Sequence, residues 1–67
     1  MTKQDVKRSI EERYGAFVNV GEVAEYLGVD RGTARGFLHG LSFIPNGREK
    51  KYFIGDVAQR LMERTRV

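Results

Sequence analysis

The 67-residue chain contains no cysteine and a single histidine, His39, so most of the side chains that bind metals are missing. Without cysteine there is neither a disulfide framework nor a thiolate zinc site, and this composition fits a reducing cytoplasm. One histidine cannot build a metal cluster by itself. The sequence also offers no paired nucleophile and base and no phosphate-binding loop. It therefore predicts a protein that is not an enzyme and that needs no cofactor or small-molecule ligand.

Long apolar runs are missing from the chain as well. The N-terminal segment MTKQDVKRSIEERY is charged throughout and lacks the apolar centre of a signal peptide. Nowhere does an apolar run approach the length needed to cross a bilayer. We therefore expect a soluble cytoplasmic protein without a membrane partner.

Positive charge is concentrated in the second half of the chain. Residues 1–30 hold four basic and six acidic side chains, a net charge of −2, whereas residues 31–67 hold eight basic and three acidic ones, a net charge of +5. Such clustering is the electrostatic footprint expected of a protein that binds the phosphates of a nucleic acid. The alternative is an ordinary solvated surface that happens to be basic.

Residues 20–39 have the spacing of a helix-turn-helix. Gly28 permits the positive φ that a tight turn between two helices requires, and Ala24 is small where the second helix must come close. Asp30 is a good N-cap for that second helix. The apolar positions expected to pack the two helices together are Val23, Leu27, Val29, Ala34 and Phe37. Two ordinary packed helices of a small α-domain are the alternative interpretation.

The second helix of this pair carries Arg31, Thr33 and Arg35 in its first turns. In helix-turn-helix proteins the N-terminal residues of the second helix contact base edges in the major groove of DNA. We therefore expect these three side chains to bind DNA. His39, at the end of the helix, is better explained as an exposed residue or a helix-dipole partner, and Tyr26 as part of the core.

A β-hairpin is predicted over residues 42–54. Residues 42–44 and 50–54 have the composition of two strands, joined by a loop over residues 45–49. The loop contains an Asn-Gly pair, and both residues tolerate the positive φ that hairpin turns require.

The predicted hairpin is basic, because it carries Arg48, Lys50 and Lys51. A basic hairpin directly after a helix-turn-helix is typical of a wing, which lies along phosphates or reaches into the minor groove. Alternatively, the lysines protect an exposed edge strand from aggregation.

Two further helices are expected to support this motif. One covers residues 1–15, with Thr2 as its N-cap and Asp5 completing a weak capping box. The other covers residues 56–66 and has an apolar stripe for the core. The short apolar run at residues 16–20 is predicted to form a brief strand.

The order of these motifs resembles the winged DNA-binding domains of the mercury-resistance-regulator (MerR) superfamily and of the phage excisionases. The resemblance covers residues 18–61 and includes the phrase VGEVAEYLGV. It also includes a helix-start pattern formed by Tyr52, Asp56, Val57 and Leu61. The long dimerising helix and effector-binding region of the metal-responsive regulators have no counterpart in this sequence, so the resemblance favours a small excisionase-like protein. A minimal phage-type regulator and a fragment of a longer regulator are the alternatives.

The resemblance implies that the three polar residues of the second helix lie at recognition positions that touch DNA. It also implies that Arg48 and Lys50 lie on the wing. The chain departs from the family pattern at Gly36, where a bulky residue is usual. Lys50 stands where metal-responsive regulators often have arginine. These departures affect the particular base contacts more than the fold.

We therefore predict a single mostly α-helical domain over residues 1–67 with a small β-hairpin, folded as a winged helix-turn-helix. Its predicted function is to bind double-stranded DNA at the nucleoid, as an excisionase-like architectural factor or a small transcription regulator of a phage or mobile element. A recombinase or neighbouring copies of the chain are further predicted partners. The alternative is a winged helix used as a protein-interaction module without DNA binding. The predicted DNA-binding residues are Arg31, Thr33, Arg35, Arg48, Lys50 and Lys51.

Overall fold

The computed structural model describes residues 2–64, which form four helices and a three-stranded antiparallel sheet. The described chain is thus mostly helical with a small sheet, as the sequence predicts. In chain order the elements are α1 (Lys3–Tyr14), β1 (Phe17–Val18), α2 (Val20–Leu27), α3 (Arg31–Leu38), β2 (Ile44–Asn46), β3 (Glu49–Phe53) and α4 (Ile54–Arg64).

The first two helices begin at reciprocal side-chain caps. At the start of α1, the Asp5 N–H donates to Thr2 Oγ1 over 3.2 Å and the Thr2 N–H donates to Asp5 Oδ2 over 3.1 Å, which confirms the predicted capping box. Asn19 and Glu22 make the same exchange at α2, over 2.8 and 3.0 Å. Each exchange satisfies N–H groups that the start of a helix leaves free.

A left-handed glycine joins α2 to α3. Gly28 has a φ of 71°, and the Val29 N–H donates to the Ala24 carbonyl over 3.0 Å, which closes the end of α2. Asp30 then caps α3, because its Oδ1 accepts the Thr33 N–H over 2.6 Å. The glycine and the cap confirm the prediction. The packing role predicted for Val29 is wrong: its side chain is 37% exposed, because it lies in the turn and outside the inner face of either helix.

A small core lies between the helices and the inner face of the sheet. α1 packs against α4 and α2 against α3, while the sheet contributes Val18 and Tyr52. Tyr26 and Phe37 lie half-buried against this core, as predicted. The largest fully buried side chains are Ile10, Leu38, Ile54 and Val18.

The strand order is β1-β3-β2, so β1 extends the hairpin formed by β2 and β3. Phe17 lies opposite Phe53, and Val18 lies opposite Tyr52. The sequence predicts the brief strand at residues 16–20 but not this pairing, because the two partners lie far apart along the chain. The pairing attaches one side of the hairpin to the segment that leads into α2.

The hairpin turn is shorter than the predicted loop. Asn46 pairs with Glu49, so the strands extend into the predicted loop and only Gly47 and Arg48 remain as the turn. Gly47 has a φ of 65°, and among residues 2–64 only glycines have positive φ. A positive φ confined to the first central residue is the pattern of a type II′ turn, so Asn46 is not one of the two central residues.

The observed register also brings Phe43 against the buried ring of Tyr52. Their ring centroids are 6.0 Å apart, a separation at which aromatic pairs attract each other. This contact is the physical reason why the predicted strand bounds at residues 42–44 and 50–54 are wrong.

α4 begins at Ile54, before the predicted start at residue 56. β3 runs directly into the helix, and the Ile54 N–H donates to the Ala16 carbonyl over 3.0 Å. Ile54 and Gly55 are buried, so this junction belongs to the core. The last residues of the predicted helix, 65 and 66, lie outside the described part of the chain.

Candidate nucleic-acid interface

Basic side chains from α3 and from the β2–β3 hairpin meet around one open groove of about 270 Å³. The groove lies between the start of α2, the start of α3 and the hairpin. Its walls include Asn19, Gly21, Glu49 and Tyr52. The predicted site residues that line it are Arg31, Arg35, Arg48 and Lys50.

α3 supplies two of these side chains from one side of the helix. Arg31 and Arg35 are four residues apart, which places them one above the other, and both are exposed. The Arg31 guanidinium extends back over α2, where a methyl group at Gly21 would lie 3.2 Å from its Nη2 atom. The glycine therefore leaves the space that Arg31 occupies.

The hairpin supplies the other two cations that line the groove. Arg48 is exposed in the turn, and Lys50 is exposed on β3. The Lys50 Nζ atom lies 4.7 Å from the centroid of the Phe43 ring, within the range of a cation–π interaction. Since Phe43 rests on the buried Tyr52, this contact holds the ammonium group beside the groove.

The cations of the groove are not neutralised by the protein. Within residues 2–64, the ion pairs at 4.0 Å or less involve Arg13, Lys51 and Arg60, and none involves a cation that lines the groove. Glu49 is the acidic residue of the wall, and the cation nearest to its carboxylate is Lys51, whose Nζ lies 3.9 Å from Glu49 Oε2. Uncompensated positive charge around a concave surface attracts anions.

Lys51, also predicted as a site residue, has a different environment. Its Nζ atom lies 4.0 Å from Glu22 and 3.9 Å from Glu49, and its side chain is 27% exposed. Neighbouring residues of a strand point to opposite faces of the sheet, so Lys51 lies on the face opposite to Lys50. The structure does not bring Lys51 into the groove, and its charge is already offset.

Thr33 is exposed but does not line the groove. It is two residues from both Arg31 and Arg35, which is roughly 200° around the helix axis. Its neighbours on this exposed side of α3 are Gly32 and Gly36, and a methyl group at Gly36 would meet nothing within 4 Å. The outer side of α3 is therefore flat and leaves the helix backbone accessible.

The Asp30 carboxylate orders the start of α3 next to these residues. Hydrogen bonds from the backbone and side chain of Thr33 hold the pKa of Asp30 below its usual range. Asp30 is therefore ionised at neutral pH and remains a cap.

Three residues that shape the site have no place in the sequence prediction. Asn19 and Gly21 position the start of α2, and the spacing of Asn19 and Glu22 is a capping-box signal that could have been found. Arg60 donates to backbone carbonyls at the end of α3. No local sequence pattern predicts the Arg60 contact, because the arginine lies on α4 and the carbonyls lie at the end of α3.

Comparisons with known proteins give no further guide to the site. No family model matches the sequence, and neither the curated proteins nor the solved structures contain a match. Within residues 2–64, no group of three or more histidine, aspartate or glutamate side chains is placed to hold a metal ion. In the same part of the chain no helix has the length and apolar character needed to cross a bilayer.

Proposed function

We propose that this chain binds double-stranded DNA as a winged helix-turn-helix protein. In this proposal α2 and α3 are the helix-turn-helix, α3 is the recognition helix, and the β2–β3 hairpin is the wing. The observation that carries it is the convergence of Arg31, Arg35, Arg48 and Lys50 on one groove, where none of them forms an ion pair with a carboxylate of residues 2–64. A double helix presents its phosphates in rows that such a basic groove can follow.

The exposed side of α3 suits the floor of the major groove. Gly32 and Gly36 carry no side chain, so the helix can approach the base edges closely, and the Thr33 hydroxyl, which donates to Asp30, can accept a hydrogen bond there. Arg31 and Arg35 then project from one side of the helix. An arginine that binds guanine through two hydrogen bonds is worth roughly 1–3 kcal/mol of discrimination against other bases.

The wing anchors the protein on the neighbouring backbone. Arg48 stands at the tip and Lys50 on the groove side, so both can reach phosphates while α3 occupies the major groove. With four cations engaged, the logarithm of affinity should fall against the logarithm of salt concentration with a slope of about −3 to −4. Lys51 contributes little to this slope, because it is already paired with Glu22.

The biological role we propose follows the resemblance given above. An excisionase-like architectural factor or a small regulator of a phage or mobile element would use such a domain to bind beside a recombinase or beside further copies of itself. A surface of this size makes few contacts with DNA, so cooperative neighbours would supply the affinity that one copy lacks.

The competing function is a protein-interaction module. Its expected signature is a continuous exposed apolar patch on α3 or the wing. Phe43 and Ile44 are 45% and 53% exposed on the hairpin, but Ile44 lies opposite Lys51 on one face while Phe43 packs on Tyr52 at the other. Ile44 shares its face with Lys51 and with the exposed Phe17–Phe53 pair, so this apolar surface lies away from the face of Lys50 and Phe43. The groove itself is lined by cations, which favours DNA as the partner.

Fluorescence-anisotropy binding to a randomised duplex pool at several salt concentrations tests the proposal. We expect affinity to fall steeply with salt and one sequence to be enriched on selection. Replacing both Arg31 and Arg35 by alanine should abolish the enrichment. The matched control is Arg13→Ala, which also removes an arginine but one that pairs with Glu25 away from the groove.

Absence of binding even at low salt would overturn the proposal. In that case the basic groove would be tested next against acidic protein partners. Equal loss of binding in the Arg13 control would show that net charge, and not the groove, carries the affinity.

A further inference from the structure

Arg60 joins α4 to the end of α3. Its Nη1 atom donates to the carbonyls of Phe37 and His39, both over 3.0 Å. Its side chain is only 18% exposed, and its Nε atom lies 3.9 Å from Glu63. Arg60 is therefore held in place by its own helix while it binds the backbone of another.

α3 depends on what holds its ends. It has eight residues, and two of them, Gly32 and Gly36, are among the weakest helix formers. A helix this short gains little from its internal hydrogen bonds, so its stability comes from caps and packing. Asp30 caps the first turn, and the last carbonyls of α3 would lack a protein partner without a donor from outside the helix.

Arg60 supplies that donor at a helix end that lacks the immediate left-handed cap of α2. His39 ends the helix with φ −56° and ψ 130°, and the left-handed Gly40, with φ 89°, comes one residue later. Two backbone hydrogen bonds tighten the exit, from the His39 N–H to the Gly36 carbonyl over 3.3 Å and from the Leu41 N–H to the Leu38 carbonyl over 3.0 Å. The charged guanidinium adds two bonds of the stronger, charge-assisted kind.

We propose that Arg60 is a positioning residue for DNA reading: it fixes the C-terminal end of α3 against α4 and thereby sets the angle of α3 relative to the wing. This inference rests on the proposed function. Arg60 is too buried to serve as a phosphate anchor, so it acts through the orientation of Arg31 and Arg35. Sequence-selective contacts depend on that orientation, whereas contacts to backbone phosphates tolerate small shifts.

The test compares Arg60→Ala and Arg60→Lys with the control Arg64→Ala. Arg64 lies one turn further along α4, is exposed and stands over the Phe37 ring, so its removal costs the same charge without touching the α3 carbonyls. Two quantities are measured. One is amide hydrogen exchange in the free protein, and the other is the affinity ratio between the duplex enriched from the random pool and its scrambled version.

We expect Arg60→Ala to accelerate exchange at the His39 and Leu41 amides and to lower the affinity ratio about tenfold, since two charge-assisted hydrogen bonds are lost. The affinity for scrambled DNA and the salt slope should stay near those of the wild type. Arg60→Lys keeps the charge and the aliphatic stem, folds more readily and should restore part of the ratio. Arg64→Ala should leave the ratio unchanged.

The outcomes separate the inference from the function on which it rests. If the wild type enriches no duplex, the proposed function fails and the positioning role falls with it. If the wild type selects a sequence but folded Arg60 variants keep the wild-type ratio, only the inference is overturned. Equal losses for Arg60→Ala and Arg64→Ala would also overturn it, because a general charge effect would then explain both.

Discussion

The Arg31 guanidinium occupies the space that a side chain at Gly21 would fill. A methyl group there would lie 3.2 Å from Arg31 Nη2 and 3.4 Å from Asn19 Oδ1. A methyl group at Gly21 would therefore crowd the first arginine of α3. The glycine leaves room for a cation of the next helix.

Gly21→Ala should separate stability from DNA affinity. Alanine is the better helix former by up to about 1 kcal/mol, and the exposed end of Arg31 can move aside, so thermal stability should hold or rise. The displaced guanidinium should weaken binding to the selected duplex by about threefold to tenfold, the scale of one lost polar contact. Thermal denaturation and anisotropy measure the two effects. A stable variant with unchanged affinity would show that the direction of Arg31 does not matter.

Gly55→Ala should destabilise the protein. A methyl group at this buried position would overlap the ring of Phe53, which is held in turn by Phe17 at a centroid distance of 5.7 Å. Overpacking of this kind costs about 1–3 kcal/mol, which urea denaturation would measure.

Two variants make the Gly55 prediction specific. Gly36→Ala introduces the same methyl group into a helix where it meets nothing, and it should stabilise the free protein by up to about 1 kcal/mol. When Phe53 is also replaced by alanine, Gly55→Ala should lower the free energy of unfolding much less than it does in the wild type. Additive effects of the two substitutions would contradict the proposed overlap.

Arg48 and Lys51 should differ in the salt dependence of DNA binding. Arg48→Ala removes a cation of the hairpin that forms no ion pair within residues 2–64, so the salt slope should decrease in magnitude by about 0.9. Lys51→Ala removes a cation that already lies 4.0 Å from Glu22, so the slope should change much less. Anisotropy titrations over a range of salt concentrations decide between the two. Equal changes in slope would place Lys51 among the DNA contacts after all.

Stability should fall in acid because two helix caps are carboxylates. Hydrogen bonds with the backbone and side chain of Thr2 lower the pKa of Asp5. Hydrogen bonds from the backbone and side chain of Thr33 lower the pKa of Asp30 in the same way. Because the pKa of each carboxylate is lower in the folded state, its full contribution to stability is present above the unfolded-state pKa of about 3.9. That contribution is lost as the pH falls through the folded-state pKa. Thermal melts should therefore show Tm decreasing below about pH 4.

Asn is a good N-cap that does not titrate, so Asp30→Asn isolates the contribution of that residue. The variant should lose less stability than the wild type between neutral pH and the acid range. A parallel decline of both proteins would mean that other carboxylates dominate the acid response.

Much of the helical structure follows from contacts between residues close along the chain. Thr2 with Asp5, the left-handed Gly28 and the Asp30 cap each act within a few residues, so their patterns predict where helices begin and end. The hairpin was predictable in existence but not in register, because the packing of Phe43 on Tyr52 selects the pairing.

The helix caps, the turn between α2 and α3, the presence of a basic hairpin and the cations available to it all follow from the amino-acid sequence. Which of these cations act together depends on how the helices and strands pack. Folding brings the hairpin cations Arg48 and Lys50 to the arginines of α3. It also pairs Lys51 with Glu22 and carries Arg60 to the end of α3. Local spacing encodes none of these contacts, because each depends on how the elements pack against one core.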